Sequence, residues 1–302
     1  MTQQLKLQEK AKEILTNKIA DVIIGYGSPE NQPALVLITD PKDVNQLIWN
    51  DRCNQNLTVY LRRKEVRALG KPAIVVKGCD AKSLVVLEVE NQVNRDSMYV
   101  IGMECGGVQA VTLSPPNNKS ATNTPIKFAA KCLSCDVNKP LHCDVVIEFD
   151  SDQTAQPAVK SDLSKRYERL EKLSLMSVSE RLDYWKSELS RCIKCYACRQ
   201  SCPLCYCEVC VVDKNRPVRI DTSATLKGNF AWNILRAFHL AGRCVGCSAC
   251  SEACPAGIDL DLLNLSLAKA ADENFNHKAG LNRSANLLIG TFSPEDHEDF
   301  IR

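Results

Sequence analysis

Histidine is scarce in this chain of 302 residues: there are four, His142, His239, His277 and His297, and none stands in a metal-binding or triad pattern. That leaves little support for acid–base or nucleophilic chemistry. Neither sign of charge is in excess, with 38 Lys and Arg against 36 Asp and Glu. The balance excludes the dominant basic field of a nucleic-acid binder and the acidic excess of a disordered tail. Long apolar runs are missing too. The longest, such as Ala-Leu-Val-Leu-Ile at 34–38, are strand-sized and far too short to span a bilayer. The opening MTQQLKLQEKAKEIL is interrupted by Glu9 and Glu13, so it lacks the continuous apolar stretch of a secretory signal, and the cytoplasm is the expected location. No G-x-G-x-x-G follows the first strand, which removes support for a Rossmann dinucleotide site.

What the chain has in abundance is cysteine. There are 17, and eleven of them lie between Cys192 and Cys254. In a reducing compartment, clustered cysteines point to metal rather than to disulfides. One run reads Cys192-Ile-Lys-Cys195-Tyr-Ala-Cys198-Arg-Gln-Ser-Cys202-Pro203, and the second reads Cys244-Val-Gly-Cys247-Ser-Ala-Cys250-Ser-Glu-Ala-Cys254-Pro255. Both have the bacterial ferredoxin spacing, in which three close thiolates wrap one cubane and the fourth reaches the other. One 4Fe-4S cluster is therefore expected on Cys192, Cys195, Cys198 and Cys254, and a second on Cys244, Cys247, Cys250 and Cys202. Isolated C-x-x-C pairs often hold zinc, but two complete four-cysteine runs each closing on Cys-Pro argue against it. Cys205, Cys207 and Cys210 follow the first run directly and read equally as part of another metal site or as free thiols.

Residues 1–150 have the pattern of an α/β domain with a mostly parallel sheet. A helix is expected over 5–19, strands over 21–24, 34–38, 57–61, 73–76 and 98–102, and helices over 43–49 and 81–92. Segments 114–125 and 151–162, rich in Pro, Asn, Ser and Asp, read as loops. The expected organisation is an α/β domain over 1–155, a helical linker over 156–190, a ferredoxin domain over 191–270 with an insertion at 205–240, and a tail over 271–302. Ser177 and Glu180 form a capping box, and a helix over 230–240 presents Ile234 and Phe238 on one face with Trp232 nearby.

Six more cysteines lie in the first half. Cys79 and Cys105 each follow a strand, Cys132 and Cys135 make a C-x-x-C, and strand ends in an open α/β sheet converge on one edge where sites are built. Cys79, Cys105, Cys132 and Cys135 are thus candidate ligands of a third 4Fe-4S cluster, with Cys143 and Cys53 as substitutes; singly, each also reads as a buried small residue. Gly25, Gly27, Gly78, Gly106 and Gly107 follow strands and read either as a flavin cradle or as turns, and Lys77 joins Gly25, Gly27 and Gly78 as a candidate cofactor contact. Asp80 and Lys82 read as cofactor contacts or solvated charges, and Lys194 and Arg199 near the first run read as charges that raise the cluster potential or meet an acidic partner, or as ordinary surface charges.

The segments VVKGCDAKSLVVLEVENQV, YVIGMECGGV and KCLSCD, followed by the dicluster motifs, resemble the beta subunits of deazaflavin-dependent hydrogenases and dehydrogenases over residues 21–263. The resemblance is to the shorter branch associated with formate dehydrogenases and heterodisulfide-reductase-like flavoproteins of anaerobes. It implies a hydrogenase beta-subunit-like fold that binds FAD and its own 4Fe-4S cluster, and that passes electrons between partner redox subunits and a soluble two-electron carrier. Near its start this chain has Gly25-Tyr-Gly-Ser where better-known members have a Gly-Gly opening. Three readings follow: an electron-transfer subunit of an anaerobic oxidoreductase, a flavin enzyme exchanging hydride with a deazaflavin or NAD, and a non-catalytic cluster-bearing adaptor. Residues 287–302 read as a docking arm or a frayed tail.

Overall fold

The computed structural model describes residues 1–29, 32–110, 127–149, 159–213, 217–218, 220–221, 223–289 and 294. The loop expected at 114–125 and most of the segments at 151–162 and 287–302 lie outside these residues. The chain divides into two units, Met1–Arg166 and Tyr167–Arg302.

The first unit is built on a five-stranded sheet. Helix α1 (Gln3–Thr16) precedes β1 (Val22–Gly27) and β2 (Ala34–Ile38); β3 (Pro72–Val76) leads into α2 (Gly78–Val89), which is followed by β4 (Tyr99–Met103) and β5 (Val145–Ile147). The strand order is β2-β1-β3-β4-β5; β1 pairs antiparallel with β2, and the other three pairings are parallel. Strands β1, β3 and β4 are almost wholly buried, which is why they read as continuous apolar runs rather than alternating ones. Leu7, Ala11, Ile14 and Leu15 form the buried stripe of α1. That helix begins two residues before its first predicted position because Gln3 is buried and tied down. Its Nε2 donates to Glu104 O (3.0 Å) and Ile147 O (3.1 Å), and its Oε1 accepts from Trp49 Nε1 (3.2 Å).

Two expected elements take other forms. The strand expected over 57–61 is a 3-10 helical turn, Leu57–Arg62, whose buried Leu57, Thr58 and Leu61 have helical rather than alternating spacing. Asn56 starts it by accepting from Thr58 N (3.1 Å) and Thr58 Oγ1 (2.6 Å). The helix expected over 43–49 is a 3-10 turn, Pro41–Gln46, that ends where Leu47 becomes extended and plunges into the core.

In the second unit, α3 (Glu168–Ser174) and α4 (Val178–Ser190) precede the first cysteine run, α5 (Leu226–Phe238) lies between the runs, and α6 (Leu260–Phe275) follows the second. The Ser177–Glu180 capping box is present, with Ser177 N donating to Glu180 Oε2 (2.7 Å). Leu170 and Leu173 pack against Leu262, so residues 167–190 share the apolar interior of this unit. No helix among the described residues is long and apolar enough to cross a membrane.

Candidate metal centres

The two ferredoxin-type runs fold into the same backbone shape. Lys194 in the first and Gly246 in the second stand at the same offset and are both left-handed, with φ of 57° and 72°. Tyr196 and Ser248, two residues further on, are left-handed as well (φ 60° and 53°), and each opens a single helical turn, Ala197–Gln200 or Ala249–Glu252. Left-handed conformation costs an L-residue roughly 1–2 kcal/mol, so three non-glycine residues are held there by their surroundings. Such turns gather successive backbone N–H groups on a concave side, the arrangement that suits anionic sulfur.

Helix α5 fastens the first run through its polar face. Asn229 Nδ2 donates to Cys192 O (2.7 Å), Arg236 Nη2 to Cys198 O (3.0 Å), and Lys194 Nζ donates back to Gly228 O (3.1 Å) while lying 5.1 Å from the Trp232 ring centroid. The buried residues of this helix are Gly228, Asn229, Trp232, Asn233, Arg236 and Ala237, whereas Phe238 is 57% exposed. The face predicted from Ile234 and Phe238 is therefore displaced: its polar neighbours turn inward because the cysteine runs offer them carbonyls. The second run is braced from α6, where Asp261 accepts from Ser248 Oγ (2.8 Å) and Ser251 Oγ (3.0 Å).

Cys192, Cys195, Cys198 and Cys254 line one small cavity, part of it open to solvent, with Trp232, Ile258 and Leu260 among its walls. Burial pushes the Cys198 thiol up to about 11, with Arg236 opposing and Cys192, Cys205 and Cys254 reinforcing the rise. Burial raises Cys244 to about 11 and raises Cys250 further; Cys247 acts on both, and on Cys202. Ile258 N donates to Cys254 Sγ (3.5 Å) and Asn264 Nδ2 to Cys250 Sγ (3.6 Å). Among the described residues no three His, Cys, Asp or Glu side chains stand close enough to hold a single metal ion. Eight cysteines in two sets, apolar walls and N–H donors aimed at sulfur fit a pair of cubanes.

Cys205 lies against Cys202 and Arg236, and those contacts hold its thiol down to about 6, with the Cys202 hydrogen bond foremost. Cys207 is exposed, and Cys210 packs in the cluster of residues around Trp232. Arg199 pairs with Asp213, and His239 is the residue that ends α5.

At the carboxyl edge of the first unit's sheet, Cys79 stands on the first turn of α2 and Cys105 two residues past β4. Burial raises the Cys105 thiol to about 11, against the Gly107 N–H and Lys77, and Cys132 and Cys135 add to the rise. Val108 N donates to Cys132 Sγ (3.3 Å), and Ser161 Oγ to Cys135 O (2.5 Å). The segment carrying Cys132 and Cys135 comes close to α2 because Gly78 has no side chain: a Cβ there would sit 1.7 Å from Val137 O. Lys82 fastens the same contact through Asp136 (2.8 Å), which also takes Arg166 Nη1 at 2.6 Å. Cys53 is buried, and Cys105 is among the groups that act on it. Cys143 is elsewhere: its sulfur lies over Gly102 and donates to Leu141 O (3.4 Å), and the charged groups that act on it are Arg95 and Asp144.

The four residues expected to touch a flavin have other tasks. A Cβ on Gly25 would meet Leu47 Cδ2 at 2.4 Å, and one on Gly27 would meet Val36 Cβ at 3.1 Å, both inside the β1–β2 ladder. The space at Gly78 is filled by Val137. Lys77 is 1% exposed, and its ammonium donates to Asp80 Oδ2 (2.8 Å), Gln55 O (2.7 Å) and the Tyr26 hydroxyl. Burial works against that charge, but Asp80, Tyr26 and Cys79 outweigh it and hold the lysine well above its ordinary value. As a flavin cradle these residues do not fit. Asp80 and Lys82, read as cofactor contacts or solvated charges, are instead the partners of Lys77 and Asp136.

Fold and cysteine sets define an iron–sulfur electron-transfer subunit. The family model for a 4Fe-4S dicluster domain matches residues 188–258, which implies two 4Fe-4S clusters. Across most of its length the chain is similar to the F420-dependent formate dehydrogenase subunit beta of Methanocaldococcus jannaschii, 24% identical over an alignment covering 82% of this chain and 84% of that protein. It is 22% identical to the F420-dependent formate dehydrogenase 1 subunit beta of Methanococcus maripaludis, over 59% of this chain and 65% of that one. Its homologues are thus formate dehydrogenase beta subunits, the family that the VVKGCD, YVIGMECGGV and KCLSCD segments resemble, and it joins that fold to a dicluster ferredoxin domain.

Proposed function

We propose that this chain is the relay subunit of an anaerobic oxidoreductase complex, with one cluster on Cys192, Cys195, Cys198 and Cys254, a second on Cys244, Cys247, Cys250 and Cys202, and a third on Cys79, Cys105, Cys132 and Cys135. The observation that supports the proposal is that Cys254, from the second run, lines one cavity with Cys192, Cys195 and Cys198 of the first. A bound 4Fe-4S cluster takes up and returns one electron, at a potential set by hydrogen bonds to sulfur, charge and solvent exposure. The chain supplies each of these. Ile258 N–H and Asn264 Nδ2 donate to sulfur, Trp232, Ile258 and Leu260 narrow the access of water, and Cys195, the exposed member of its set, is a point of entry or exit. Because the cysteines must lose their protons to bind, assembly releases protons and is favoured as pH rises.

The relatives' names support other redox subunits of a formate dehydrogenase as partners, with a hydrogenase or a heterodisulfide-reductase-like flavoprotein as the proposed alternatives. The relatives' names support a deazaflavin as the two-electron carrier of such a complex. FAD remains part of the proposal only at residues other than Gly25, Gly27, Lys77 and Gly78.

The test is iron, acid-labile sulfide and flavin per chain on anaerobically purified protein, repeated on Cys→Ser variants of each set. Three clusters give about twelve irons per chain and two give about eight. Loss of one paramagnetic signal in Cys254→Ser together with the first run's own variants supports the interleaved assignment. Loss of the second run's signal instead sinks it.

A further inference from the structure

Trp232 is held against the first cysteine run by contacts that fix its ring and leave its one donor unused. Asn229, Trp232 and Arg236 follow one another at three- and four-residue spacing along α5, so they share a face of that helix. Asn229 Nδ2 donates to Cys192 O (2.7 Å) and Arg236 Nη2 to Cys198 O (3.0 Å), which brings the residue between them over the middle of the run. Tyr196 meets the indole edge-on with 5.4 Å between ring centroids, and Lys194 Nζ lies 5.1 Å from the indole centroid. Trp232 is 2% exposed and forms part of the wall of the cavity lined by Cys192, Cys195, Cys198 and Cys254. Its Nε1 is buried, and no oxygen, nitrogen or cysteine sulfur among the described residues accepts from it. The buried tryptophan of the first unit differs: Trp49 Nε1 donates to Gln3 Oε1 (3.2 Å). An indole N–H can only donate, and a buried donor left without an acceptor is destabilising. Resting on the assignment of a cluster to these four cysteines, we propose that Trp232 Nε1 donates a hydrogen bond to an inorganic sulfide of that cluster and so raises its reduction potential.

The kind of acceptor follows from the cavity. Its four cysteine sulfurs do not take the indole N–H, which leaves the sulfide core that they would surround. The direction follows from charge. An electron added to the cluster makes its sulfides more negative, and a hydrogen bond strengthens as its acceptor gains charge. The donor therefore stabilises the reduced form more than the oxidised one. The effect is confined to one cluster, because Cys202, Cys244, Cys247 and Cys250 do not line the cavity that Trp232 walls.

The experiment uses the full chain carrying tryptophan labelled with nitrogen-15 in the indole ring. The reduced protein is read by pulsed electron paramagnetic resonance and by redox titration, with iron and sulfide measured on the same samples. The chain has three tryptophans, Trp49, Trp185 and Trp232, and the native protein is compared with Trp232→Phe and Trp185→Phe. The first-set signal, the one that variants of the first run remove, should show a nitrogen-15 coupling that persists in Trp185→Phe and is lost in Trp232→Phe. In Trp232→Phe the reduced-to-oxidised ratio of the first-set cluster at fixed potential should fall about threefold or more. That is a midpoint shift of about −28 mV or beyond, at about 59 mV per tenfold for one electron, while the second-set midpoint stays in place. Should Trp232→Phe fail to assemble the first cluster, the coupling decides: its presence in both the native protein and Trp185→Phe supports the inference, and its absence from the native signal overturns it. A coupling that only Trp185→Phe abolishes also overturns it. So does an unshifted first-set midpoint in Trp232→Phe, or an equal shift of both midpoints, which would make the ring's role one of shape. Iron-free native protein is a different result and overturns the relay reading itself.

Discussion

Replacing Lys77 with Met puts the buried polar centre of the first unit to the test. The ammonium has three donors and three acceptors around it, Asp80 Oδ2, Gln55 O and the Tyr26 hydroxyl, so it is fully satisfied at 1% exposure. Asp80 is 0% exposed. Without the lysine side chain it keeps the residue 77 N–H (3.1 Å) but loses its ion pair with the ammonium. Removing one partner of a buried pair costs about 3–5 kcal/mol, a large share of a domain stability of about 5–15 kcal/mol. The double variant Lys77→Met/Asp80→Asn removes the stranded charge while the amide oxygen still accepts the Lys77 N–H. It should recover about 2–3 kcal/mol, a coupling expected of contacting residues. The assay is urea-dependent hydrogen exchange by mass spectrometry, read on peptides from β1 and α2, which isolates this unit from the other. A loss below about 1 kcal/mol in the single variant, or strict additivity in the double, would refute the view that Asp80 depends on Lys77.

Gly78→Ala places a methyl 1.7 Å from Val137 O, so the 132–138 segment must move; iron should fall by about four atoms per chain while the dicluster signals persist. Unchanged iron there would count against the third cluster. Cys79→Ser and Cys105→Ser should each lose that same iron, whereas Cys143→Ser, whose sulfur lies over Gly102 away from the others, should lose none. Asp136 is half-buried, and burial would raise its carboxyl, yet Lys82 and Arg166 hold it below the ordinary value. Its contribution is therefore complete above the unfolded value of about 3.9 and is lost as pH falls through the lower folded value. Asp136→Asn should flatten the acid limb of stability, and at pH 7 it should cost about 1.5–3 kcal/mol, measured as a shift in urea midpoint. An acid limb as steep as the native one would show that other carboxylates set it.

Much of this protein is written in local sequence. The two cysteine runs specify turns whose geometry is repeated at Lys194 and Gly246 and at Tyr196 and Ser248, because two residues between fixed ligands leave few ways to fold. Buried strands announce themselves as apolar runs, and the Ser177–Glu180 box needs only four consecutive residues. Features that depend on distant chain were not legible. Gly25 and Gly78 look like cofactor glycines until Leu47 and Val137 are seen to fill them, and Lys77 looks like a ligand contact until Asp80 and Tyr26 close around it. The helix over 57–61 was hidden because Leu57, Val59 and Leu61 alternate on paper while the Asn56 cap and burial of Leu57 and Leu61 decide the fold. Arg236 was passed over for the same reason. A hydrophobic period ranks Ile234 and Phe238 as the inward face, but the interior of this unit is lined with carbonyls and thiols, so Asn229, Asn233 and Arg236 turn toward it. Sequence alone determined which residues can hold metal, since ligand chemistry and spacing are local. Only the tertiary structure decided which cysteines stand together and which charges face them, because those depend on where separate segments of the chain meet.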